Sequence, residues 1–167
     1  MERVRADAVS ADEARALLRS CCGSSRWVDG MMAARPFVTH QGLLEAAQAA
    51  FQDFEPADWL EAFRHHPKIG DRDALRAKFA DTRHLAAQEQ AGVGDASNEM
   101  LAALAVENER YHQKFGYIFI VCATGLTAGQ MLGMIRARQP NDPATELRTA
   151  ASEQVKITAL RLRGLGE

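Results

Sequence analysis

The chain has 167 residues, of which 47% are hydrophobic. That is enough apolar material for one domain of ordinary size with its own core, which excludes a disordered chain or a stapled mini-domain. With 20 basic and 22 acidic residues the formal charge is -2 at pH 7, a balance that argues against a nucleic-acid surface, because phosphate binding calls for a basic surplus or patch.

Helix punctuation recurs along the chain. In "SADEARALLRSCCG", Ser10 is placed to cap a helix, Glu13 completes a capping box and Gly23 is the expected stop. "SSRWVDGMMAARPF" reads as a short helix ended by Pro36; helices begun by Thr39 and by Pro56 follow. "DALRAKFADTRHLAAQEQAGVG" reads as one helix, or two broken near Asp81 and Thr82. "SNEMLAALAVENERYHQKFG" carries Leu101, Leu104, Ala105, Asn108, Tyr111 and Phe115 on one face at helical steps. "YIFIVCA" has the composition of a strand, but no clear partner strands exist, so a buried helix or irregular helical segment is expected there. Thr127 and Gln130 form another capping box, and Asp142 followed by Pro143 opens a long last helix. The sum is all-α: a single multi-helix domain over residues 1–167 with roughly seven to nine helices joined by short connections.

Compartment follows from what is missing. Cys21, Cys22 and Cys122 cannot all pair within one chain, and a reducing interior is the simplest setting. The first residues show no apolar signal-like run, and no stretch approaches the roughly 18 apolar residues of a membrane span, so a cytoplasmic protein without membrane association is expected.

The chemistry centres on "FRHHPKIGD". Pro67 disfavours helical backbone at His66 and ends the helix there, leaving an imidazole at a bend. Such a histidine either caps the last helical carbonyls or exchanges protons near neutrality; His65 faces elsewhere and reads as exposed or structural. Glu89, in the alanine-rich "AAQEQAG", is either part of a polar helix surface or a site carboxylate. Asn108, on an otherwise apolar face, needs a hydrogen-bond partner in the fold or in a ligand. Cys122 reads as a packing thiol, since no local feature identifies an activating base. Arg161 and Arg163 cannot both line one pocket; Arg161 lies closer to the face of Ile157 and Leu160, where an inward guanidinium would clamp a carboxylate. No CxxC, HExxH, EF-hand, GxGxxG or P-loop pattern is present, and "ERYH" supplies only one Glu-x-x-His unit, so neither a metal nor a phosphate-bearing cofactor is expected.

Taken in order, "SSRWV", "ARPF", "HPKIG", "QEQAGV", "ENERYHQKFGYIFIVCATG" and "NDPATELRTAASEQVKITALRLRGL" resemble the 2-oxo-4-hydroxy-4-carboxy-5-ureidoimidazoline (OHCU) decarboxylase family of urate breakdown. The resemblance covers nearly the whole chain. It implies an all-helical carboxy-lyase without cofactor or metal that converts OHCU to (S)-allantoin, and a homodimer. It also implies His66 and Glu89 as acid–base residues and Arg161 as the carboxylate-binding arginine. Pro67 would shape the substrate wall, while Phe119, Ile120, Val121, Cys122 and Ala123 would supply backbone groups and an apolar wall to the ring pocket. Where many relatives carry a serine, this chain has Ala86, so one substrate hydrogen bond does not carry over. The alternative is a helical protein-interaction module whose Asn108, Glu89 and Arg161 satisfy internal contacts.

Overall fold

Seven α-helices follow one 3-10 turn, Arg5–Asp7, in the computed structural model, which describes residues 4–66 and 94–165. They are α1 (Ala11–Cys21), α2 (Ser25–Ala33), α3 (His40–Ala49), α4 (Pro56–Arg64), α5 (Gly94–Phe115), α6 (Ala128–Arg138) and α7 (Pro143–Arg163). The helix expected between residues 73 and 94, and with it Pro67, Ala86 and Glu89, lies outside the described residues.

The caps form where the local sequence places them. Ser10 accepts from the Glu13 amide while Glu13 bonds back to Ser10, and Thr127 and Gln130 do the same at α6. Thr39 receives the Gly42 amide, and Asp142 receives the Thr145 amide ahead of Pro143. Each satisfies an amide that the first helical turn leaves without a partner. Gly23 differs from expectation. Helix α1 ends one residue earlier, with Cys22 in extended backbone, and Gly23 is small for another reason. A Cβ there would stand 2.2 Å from the His65 ring, so the imidazole rests on bare backbone.

The chain forms two compact units, the first made of Met1–His66, Ile120–Cys122 and Leu147–Glu167, the second of Pro67–Phe119 and Ala123–Glu146. In the first, Trp27 is fully buried at the centre, its indole N–H donating to the Ala47 carbonyl at 3.1 Å. Phe51 lies 5.9 Å from it and stacks on Trp59 at 5.3 Å, with Phe54 edge-on to both. Leu18, Met31, Leu43, Phe37, Leu162 and Leu165 complete this core. Asp7 ties the loop after α2 down by accepting the amides of Phe37 and Val38 at 2.9 and 3.0 Å.

In the second unit α5 packs along α6. Leu101, Leu104 and Tyr111 are buried on the expected face of α5. Asn108 satisfies its amide within its own helix, on the Leu104 carbonyl at 3.0 Å. Gly116, at φ +82°, ends α5 in the left-handed region that glycine enters without penalty. The following Tyr117–Ala123 run is neither strand nor helix, which corrects the helical expectation for it. Its β-branched and aromatic residues are poor helix formers, and burial of Tyr117, Phe119, Ile120 and Val121 holds the run in place instead.

Candidate functional site

The last turn of α4 tightens as it ends. His65 and His66 donate their amides to Ala62 and Phe63, three residues back, at 3.3 and 3.2 Å. The two histidines are used differently. His65 is the exposed residue whose ring lies against Gly23, and His66 is half-buried with Nε2 2.6 Å from Oε1 of Gln154.

Gln154 is fully buried on α7, and its Nε2 lies 3.1 Å from the Thr158 hydroxyl, which lies 3.3 Å from the Cys21 carbonyl. A carbonyl only accepts, so the single hydroxyl proton of Thr158 is committed to Cys21. The Cys22 thiol is the other group within reach of that hydroxyl, again at the end of α1. Thr158 oxygen therefore accepts from the Gln154 amide nitrogen, and the Gln154 oxygen faces His66. The reversed amide would leave the last carbonyl of α1 without its donor.

Arg161 continues the stripe, since Gln154, Thr158 and Arg161 stand at i, i+4 and i+7 on α7. It is exposed, with one guanidinium nitrogen 3.3 Å from the Ser20 carbonyl. Thr158 and Arg161 thus close successive carbonyls at the C-terminus of α1, where a cation is favoured by the helix dipole. Ile120 and Val121 are buried and Cys122 half-buried in this same unit. Burial pushes the thiols of Cys21 and Cys22 up, that of Cys22 to about 11, which makes both poor nucleophiles.

Phe119 and Ala123 belong to the second unit. The Phe119 ring lies edge-on to Tyr111 at 5.3 Å and beneath the Arg138 guanidinium at 4.4 Å. Arg138 bonds Glu146 at 2.7 Å, Tyr111 donates to the same carboxylate oxygen, and Asn141 donates to the other at 3.0 Å. Sequence reasoning named His66 and Arg161 but missed Gln154 and Thr158. Their cue was the line Ala150, Gln154, Thr158, Leu162, in which two polar residues share the step of two apolar ones. Among the described residues no three of His, Cys, Asp and Glu gather as a metal-ligand set, and no helix is long and apolar enough to cross a membrane.

A model of the OHCU decarboxylase family matches residues 7–163. The chain belongs to the OHCU decarboxylase family. It is 37% identical over 145 residues to the uric acid degradation bifunctional protein TTL of Arabidopsis thaliana, covering 87% of this chain and 45% of that protein. It therefore spans less than half the length of that relative. Against the 2-oxo-4-hydroxy-4-carboxy-5-ureidoimidazoline decarboxylase of Amia calva the identity is 33% over 133 residues, covering 78% of this chain and 74% of that protein. The crystal structure of an OHCU decarboxylase in the presence of (S)-allantoin matches with a TM-score of 0.72 and 35% identity, over 94% of this chain and 98% of that one. A crystal structure of (S)-allantoin synthase matches at 0.69 over 96% of this chain and 52% of that chain, where 18% identity speaks for the fold alone. The all-α expectation and the family expectation both hold, and membership of an enzyme family displaces the interaction-module alternative.

Proposed function

We propose that this enzyme decarboxylates OHCU to (S)-allantoin in urate breakdown, with His66 as its proton-exchanging group. The observation that carries the role of His66 is its seat. A half-buried imidazole at the end of α4 is held at 2.6 Å by a fully buried amide, a contact that orients the ring without adding charge.

The chemistry asks little more of the protein than placement. The bond between C4 and the carboxylate carbon breaks, carbon dioxide leaves, and the electron pair enters the adjoining imidazoline ring. One proton goes to the ring nitrogen that received the electron pair, and a second goes to one face of the ring carbon bearing the ureido group as the C4 hydroxyl gives up its own. The net uptake of one proton balances the charge of the carboxylate. His66, oriented with Glu89, moves these protons. Arg161 meets the substrate carboxylate, for which its exposed guanidinium fork is chemically suited. The family resemblance assigns Pro67 and residues 119–123 to the ring-binding wall and implies a homodimer. Enclosure aligns the breaking bond and sets the chirality of the product.

The test compares wild type and His66→Ala on freshly generated OHCU, following both rate and product chirality. Loss of a positioned acid–base group lowers kcat by about 10²- to 10⁴-fold and yields racemic allantoin. Equal rates and equally racemic product from both proteins would remove the activity. A mutant that retains rate and enantiomeric excess removes only the role of His66.

A further inference from the structure

We propose that Gln154 is a positioning residue that fixes His66 as its Nε2–H tautomer, so that the proton exchanged during decarboxylation is carried on Nδ1. This rests on the reading of His66 as the acid–base group. What it adds is which nitrogen does the work and which residues decide it.

The assignment follows from donor and acceptor counting along one chain of contacts. The chain ends on a group that cannot donate, the Cys21 carbonyl, 3.3 Å from the Thr158 hydroxyl. That polarity passes through Thr158 to the Gln154 amide nitrogen at 3.1 Å, and hence to its carbonyl oxygen. The oxygen lies 2.6 Å from His66 Nε2, too close for two acceptors to face each other, so Nε2 carries the hydrogen. A neutral imidazole has one N–H, and with Nε2 committed the lone pair that accepts a proton is on Nδ1. Burial supports the constancy of this state: Gln154 and Thr158 are both 0% exposed, so reversing the amide breaks hydrogen bonds that water cannot replace.

The closing experiment reads the tautomer directly. In protein carrying 15N-labelled histidine, two-dimensional spectra of the neutral ring distinguish protonated Nδ1 from protonated Nε2. Wild type is expected to show His66 with hydrogen on Nε2, in a hydrogen bond that slows its exchange with water. Gln154→Leu is expected to lose that slow exchange and lower kcat by on the order of 10²-fold, with KM near wild type, since the ring loses the hydrogen bond at Nε2 that sets its tautomer. Thr158→Val removes the polarity of the chain while leaving Gln154 in place, and is expected to move in the same direction. It also serves if Gln154→Leu does not fold. Gln154→Glu keeps the acceptor, so the bonded Nε2–H signal returns. Hydrogen on Nδ1 in the wild type, or slow exchange unchanged in both Gln154→Leu and Thr158→Val, would overturn the assignment. These spectra stand apart from turnover: a His66→Ala enzyme with full activity and enantiomeric excess removes the proposed role of His66, whatever the tautomer.

Discussion

The Tyr111–Glu146–Arg138 cluster and the His66–Gln154–Thr158 chain both place polar groups away from water, yet they are built on opposite plans. The first is ionic and closed. Glu146 is fully buried and uses both oxygens, taking Arg138 and Tyr111 on one and Asn141 on the other. Burial and the hydrogen bond to Glu146 push the Tyr111 phenol far above its ordinary range, so it remains a neutral donor. The second is neutral and open-ended. It starts on a helix-end carbonyl, runs through two uncharged side chains and terminates on a half-buried imidazole. A saturated ion cluster holds a fold, whereas a polarised neutral chain can present a proton-exchanging atom in a defined direction.

Removing one partner from the ionic cluster gives the largest expected effect on stability. Glu146→Ala leaves Arg138 buried without its carboxylate and should cost about 3–5 kcal/mol, read by chemical denaturation. Replacing Arg138 by Met and Glu146 by Leu together should recover part of that loss, because both charges are gone, while the buried Tyr111 hydroxyl is still left without its acceptor. A double variant as unstable as Glu146→Ala would show that the cluster acts through geometry rather than charge pairing.

The first unit should show its weakness at high pH. Burial raises the Cys22 thiol from the ordinary 9.0 to about 11, so the folded state holds this proton more tightly than the unfolded chain. Its contribution is complete below about pH 9 and falls away as pH rises to about 11, a loss of roughly 2–3 kcal/mol. Cys22→Ala should remove this part of the pH dependence; an unchanged slope between pH 9 and 11 in that variant would refute the attribution. The smallest effects should be equal in the two units. Ser10→Ala and Thr127→Ala each open a capping box and should cost about 1 kcal/mol in denaturant titration, confirming that the asymmetry lies in the buried polar groups.

What the sequence made legible was local chemistry. Ser10, Thr39, Thr127 and Asp142 announce helix starts because a cap needs only residues within one turn of itself. His66 was visible because Pro67 acts on its immediate neighbour. The Tyr117–Ala123 run was hidden, since an apolar segment buried without regular structure has the composition of a strand. Gln154 and Thr158 were hidden for a related reason: polar residues on a helix look like a solvated face until the helix they pack against is known. Arg161 was set apart from Arg163 as an inward guanidinium, yet it is exposed, and its bond to the Ser20 carbonyl depends on α1, more than a hundred residues away in the chain.

The seat of His65 on Gly23 carries a consequence for how this sequence can drift. A side chain at position 23 would occupy the space of the neighbouring imidazole, with its first carbon 2.2 Å from the ring. In a saturation library selected for turnover, position 23 should therefore tolerate glycine alone, although it is far from His66 in sequence and has no functional group. Compensation should come from position 65 through glycine, because the His65 Cβ itself would stand 2.3 Å from the added carbon. Two neutral-looking sites would then be linked through a shared volume, and a lineage that gained bulk at one would have to surrender it at the other.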